Sequence, residues 1–125
     1  MPPKSLVTGT AIVLLVLSLS FLFIPSELLA AAGAKGAAPA EPLVQLLGAA
    51  LLGFAVFNWT SRREIACGNP SCTLPQANFI HFGAGTLALI KPALRAPNLP
   101  LGIALGVYAL FALAYAYTLW GPKRG

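Results

Sequence analysis

Charge is scarce in this sequence. Only 9% of its residues are charged, and the three acidic ones are all glutamates. A soluble domain carries about a quarter charged residues. A chain of 125 residues with so few cannot cover a water-facing surface, whereas a lipid-facing surface needs no such cover. One helical bundle would use the whole length, so a single membrane domain over residues 1–125 is expected.

Other shortages narrow the chemistry. His81 is the only histidine, so no multi-histidine metal site can form. The two cysteines, Cys67 and Cys72, have four residues between them. Two thiolates do not close a zinc site, which wants four ligands, and the spacing is not the CxxC redox motif. Glu27, Glu41 and Glu64 all fall in loops. No pair of carboxylates lies within an apolar run, so a proton relay is not indicated. Serines and threonines are scattered without a partner base. The expectation is therefore no catalytic residue, no metal site and no enzyme. The basic residues sit singly or in pairs at the ends of apolar runs. That pattern suits topology and headgroup contact and argues against nucleic acid as a partner.

What is abundant is apolar: 58% of residues are hydrophobic and mean hydropathy is +0.80. Four runs approach the ~20 residues needed to cross a bilayer. The first is Leu6 to Ile24, preceded by Lys4 and followed by Pro25. Its apolar core is longer than the roughly 7–15 residues of a signal-peptide core, so a retained span is expected. Ser26 and Glu27 can restart a short helix through Ala30. Ala30 to Pro42 is rich in Ala, Gly and Pro and reads as a loop. The second run, Leu43 to Thr60, ends in Trp59 and the pair Arg62-Arg63, an interfacial anchor. Ala49 and Gly53 on it form a small-x-x-x-small pair suited to close helix contact.

The third run, Gln76 to Arg95, is weaker. Its apolar stretch Phe79 to Ile90 is short, includes His81 and Thr86, and reaches spanning length only if Lys91 snorkels to the headgroups. Pro92 is tolerated near the end of such a helix, and a re-entrant segment is the alternative. The fourth run, Leu99 to Trp120, is long and uncharged. Gly102 and Gly106 make a GxxxG pair, and Tyr115, Tyr117 and Trp120 gather at its far end as an aromatic belt. The fold class expected is an all-α integral membrane bundle of four transmembrane helices, with spans at about 6–24, 43–60, 76–95 and 99–120. With the N-terminus inside, the inner segments hold Lys4, Arg62, Arg63, Lys123 and Arg124 against Lys35, Lys91 and Arg95 outside. The bias places both termini in the cytoplasm.

Connectivity brings Asn58, Asn78 and His81 to similar depth, a polar layer just inside the cytoplasmic interface. Interhelical hydrogen bonds account for it. A sharper possibility concerns His81. Ala84, Gly85 and Ala88 follow it on one side of the helix. A histidine above small residues can ligate a flat macrocycle such as a pigment, and the same strip equally admits a neighbouring helix. Snorkelling and interfacial solvation account for Lys91 and Gln45. Cys67 and Cys72 are free thiols if their loop is cytoplasmic and a disulfide if it is not, which makes them a topology probe.

Leu46 to Gly53 through Phe57-Asn58-Trp59, then Asn78-Phe79-Ile80-His81-Phe82 and Gly85 to Lys91, resembles small bacterial inner-membrane proteins of the DoxX-like type. Phe23-Ile24-Pro25-Ser26-Glu27-Leu28-Leu29 fits that pattern too. The most particular elements are Asn58-Trp59 and Asn78-x-x-His81, while the insert from Cys67 to Cys72 departs from it. The resemblance implies a four-helix bundle in a bacterial inner membrane and supplies no established activity. Three functions follow as expectations. The first is a structural or accessory subunit whose partners are the bilayer and other membrane proteins or a second copy. The second is a cofactor- or pigment-binding subunit with His81 as ligand, the cofactor unknown. The third is a small carrier for a lipid-like solute.

Overall fold

The computed structural model describes residues 3–34, 36, 40–63 and 73–122. They form five helices: α1 (Pro3–Phe23), α2 (Pro25–Ala31), α3 (Glu41–Ser61), α4 (Thr73–Arg95) and α5 (Leu99–Trp120). No strand occurs among the described residues. The chain divides into two compact units, Met1–Ile65 and Ala66–Gly125.

In the first unit, α1 and α3 form a hairpin with α2 at its turn. Pro25 breaks α1 from α2, because the residue before a proline is pushed out of the helical region. Ile24 there has φ −132° and ψ 48°. The end of α2 is closed by Gly33, at φ 81°. Gly33 N–H donates to the Ala30 carbonyl at 3.0 Å and Ala34 N–H to that of Leu29 at 2.9 Å. This is the Schellman closure, which needs a left-handed residue and so favours glycine. It lies inside the stretch expected to be plain loop.

Buried positions on α3 are Gly48, Leu51, Ala55 and Asn58, spaced by three and four residues as one helical face. Gly48 is a point of close approach. A Cβ there would stand 2.9 Å from Phe21 Cβ and 3.1 Å from Leu22 N. Gln45 nearby donates its side-chain N–H to the Leu22 carbonyl at 3.3 Å. The start of α3 thus lies against the end of α1, and the two helices are antiparallel.

In the second unit, α4 and α5 pack against each other across a short turn. Asn98 is extended there and its side chain accepts from Leu101 N–H at 2.9 Å, capping α5. Pro92 sits inside α4, and the helix continues through it to Arg95.

Three helices are long and apolar enough to cross a membrane: Lys4–Phe23, Glu41–Ser61 and Leu99–Trp120, with mean hydropathies of 2.4, 1.6 and 1.9. Their exposed side chains are large and apolar, as at Val16, Leu46 and Leu110, a surface suited to lipid rather than water. α4, at 23 residues, is as long but more polar, as its weaker apolar run predicts.

Candidate functional site

The chemistry-bearing side chains concentrate on the facing sides of α4 and α5. Asn78, His81, Phe82 and Gly85 share one side of α4 at steps of three and four residues, and Tyr108, Phe111 and Tyr115 do the same on α5. The antiparallel hairpin meshes the two rows.

Phe82 is fully buried and forms the centre of the mesh. Its ring stacks on Phe111 at 4.9 Å and on Tyr115 at 6.2 Å, and meets Tyr108 edge-on at 5.0 Å. Such arrangements add to area burial because ring edges and faces carry opposite partial charge. Two polar contacts flank the stack. Asn78 Nδ2 donates to Tyr115 Oη at 3.1 Å. Tyr108 Oη lies 3.3 Å from His81 Nε2, and the hydroxyl donates when that nitrogen carries no proton. Asn78 is fully buried and Tyr115 nearly so, where an unmade hydrogen bond would be costly.

Of the strip beside His81, Gly85 is occupied, whereas Ala84 and Ala88 are exposed. A Cβ on Gly85 would run into the Tyr108 ring, so Tyr108 fills the space that glycine leaves. α5 therefore covers the Gly85 position of that strip and leaves the Ala84 and Ala88 positions open. The tyrosines that complete these contacts were the residues hardest to anticipate. Of the three aromatics expected in an interfacial belt, Tyr117 and Trp120 are exposed, whereas Tyr115 is buried. The signal was present in the spacing of Tyr108, Phe111, Tyr115 and Leu119, which marks one helical face turned towards α4.

Asn58, expected in a layer with Asn78 and His81, belongs to the first unit, and the other two belong to the second. Asn58 is buried and its Nδ2 donates to the Phe54 carbonyl one turn back, at 3.0 Å. Cys67 and Cys72 lie outside the described residues. Among the described residues no group of three or more His, Cys, Asp or Glu could hold a metal ion.

The small residues divide by role. Gly48 and Gly85 are filled from the neighbouring helix, whereas Ala49, Gly53, Gly102 and Gly106 are exposed. Nothing lies within 4 Å of a Cβ built at any of those three glycines. Between α4 and α5 runs an apolar groove of about 550 Å³, lined by Phe79, Ile80, Gly83 and Leu87 on one side and Ala109, Ala112 and Leu113 on the other. The hydroxyl of Thr86, also in its lining, donates to the Phe82 carbonyl at 2.7 Å.

No known protein family, curated protein or solved structure matches the chain.

Proposed function

We propose that this chain is a four-span membrane protein acting as a structural or accessory subunit, without chemistry of its own. Its spans are α1, α3, α4 and α5, with both termini in the cytoplasm of a bacterial cell and the spans in its inner membrane. The observation that carries the reading is the outward exposure of Ala49/Gly53 and Gly102/Gly106, with open space beside each glycine. In lipid, helices associate where small residues let backbones approach. These two pairs do no such work within their own hairpins, where Gly48 and Gly85 serve instead. Each pair is therefore available to a transmembrane helix from outside its own hairpin, and we assign that place to another protein or a second copy.

The weak span fits the same account. Asn78 and His81 make α4 costly to place in lipid alone, and their contacts with Tyr115 and Tyr108 offset that cost. Chemical crosslinking in native membranes tests the proposal. Discrete species heavier than the monomer are expected, and a strictly monomeric protein would count against it.

A second reading, a carrier for a lipid-like solute, draws on the apolar groove between α4 and α5. Thermal shifts with lipids and quinones test it, and no shift with any of them would end it.

A further inference from the structure

The antiparallel packing of α1 and α3 gathers cations at one end of the first unit. Gly48 meets Phe21 and Leu22. Moving 14 residues along α3 reaches Arg62, and moving back as far along α1 from Leu22 reaches Thr8, one turn from Lys4. Both steps span roughly 21 Å at the helical rise. Lys4, Arg62 and Arg63 therefore share an end. The carboxylates of Glu27 and Glu41 lie at the opposite end, beside the α2 turn. Glu64, which follows Arg63 in sequence, lies outside the described residues.

Arg62 is held in place there. Its guanidinium lies 3.7 Å over the Trp59 ring and donates to the Trp59 carbonyl. Stacking on the aromatic face holds the planar fork with little further loss of freedom and leaves its other N–H groups for an anion. Trp59 is itself 47% exposed, a ring with an apolar body and a polar N–H, suited to headgroup depth.

We infer that Trp59 and Arg62, with Arg63 and Lys4, bind the headgroup phosphate of an anionic phospholipid in the leaflet facing this end. The choice of a lipid over another anion follows from position. The cations sit at the ends of two helices apolar enough to cross a membrane, where the nearest phosphates belong to headgroups. A preorganised Arg fork recognises phosphate with two parallel hydrogen bonds, and each juxtamembrane cation adds to the attraction for an anionic surface. The site rests on the membrane reading of α1 and α3.

The test uses the full chain carrying Trp120→Phe, which leaves Trp59 as its sole tryptophan. The protein is reconstituted in vesicles of brominated phosphatidylglycerol or brominated phosphatidylcholine, and quenching of Trp59 is compared. Flotation with the vesicles reports insertion separately. The expected result is a relative affinity for phosphatidylglycerol of about fivefold or more at low salt, fading near 1 M salt as screening shortens to about 3 Å. Arg62→Gln with Arg63→Gln brings the ratio close to one, and Arg62→Lys lowers it. Lys91→Gln with Arg95→Gln, on the second unit, leaves it unchanged. Equal quenching by both lipids in protein that floats would overturn the site alone, as would loss of selectivity to inorganic phosphate at constant ionic strength. Protein that fails to float overturns the membrane reading as well.

Discussion

Tyr108 occupies the space that Gly85 leaves open, and its hydroxyl reaches His81 one turn away. The contact fixes the spacing of α4 and α5, since any side chain at residue 85 meets the ring. Gly85→Ala should therefore destabilise the hairpin by about 1–3 kcal/mol, the usual cost of overpacking. Thermal unfolding in detergent checks it. Gly85→Ala combined with Tyr108→Ala should cost less than the sum of the two single changes, because the clash is gone. Additive costs would mean that the two residues do not meet.

The Asn78–Tyr115 contact predicts a small, measurable coupling. Interhelical side-chain hydrogen bonds in membranes average about 0.6 kcal/mol, with a maximum near 1.7. A double-mutant cycle of Asn78→Ala and Tyr115→Phe should fall in that range. A coupling of zero would place the two helices in another register.

Gly48 and Gly53, on the same helix, predict opposite behaviour. Gly48→Val pushes a side chain into Phe21 Cβ and the backbone of Leu22. Backbone cannot rotate aside, so a cost of about 1–3 kcal/mol is expected. Gly53→Val meets open space and should leave the thermal stability of the isolated protein near that of the wild type. Equal losses at both sites would contradict the assignment of faces.

The predicted orientation makes Cys67 and Cys72 cytoplasmic. A membrane-impermeant thiol reagent should label them in inverted membranes and not in intact cells or spheroplasts. Labelling from outside alone would reverse the topology.

Much of the helical layout was legible in the sequence. The fourth apolar run and α5 share the same bounds, Leu99 to Trp120. The second run differs from α3 only at its ends, and the short helix expected from Ser26 to Ala30 appears as α2, Pro25–Ala31. Hydropathy sees these elements because each is a long run of one character. The third run was harder because its polar residues break the run, and α4 begins at Thr73, three residues before the expected start. The site was legible only in part. Asn78 and His81 stood out as polar residues in an apolar segment, but their partners Tyr108 and Tyr115 did not. Tyr115, near the end of an apolar helix, suits an interface and a hairpin interior equally, and Tyr108, in mid-helix, is one large apolar residue among many, so only the facing helix singles them out. The small residues show the same limit. Spacing marks Gly48, Ala49 and Gly53 alike as sites of close approach, and the rotation of α3 turns only Gly48 towards α1.

The proposal that outward small-residue faces receive other membrane helices is tested most directly by site-specific photocrosslinking in native membranes. A benzophenone amino acid is placed in turn at Gly53, Gly102 and Gly106, and at Ile12 and Val16 as exposed large apolar positions outside any small-residue pair. The account predicts discrete protein adducts of fixed mass from the glycine positions and only lipid adducts from the two controls. Lipid adducts alone from all five positions would contradict it.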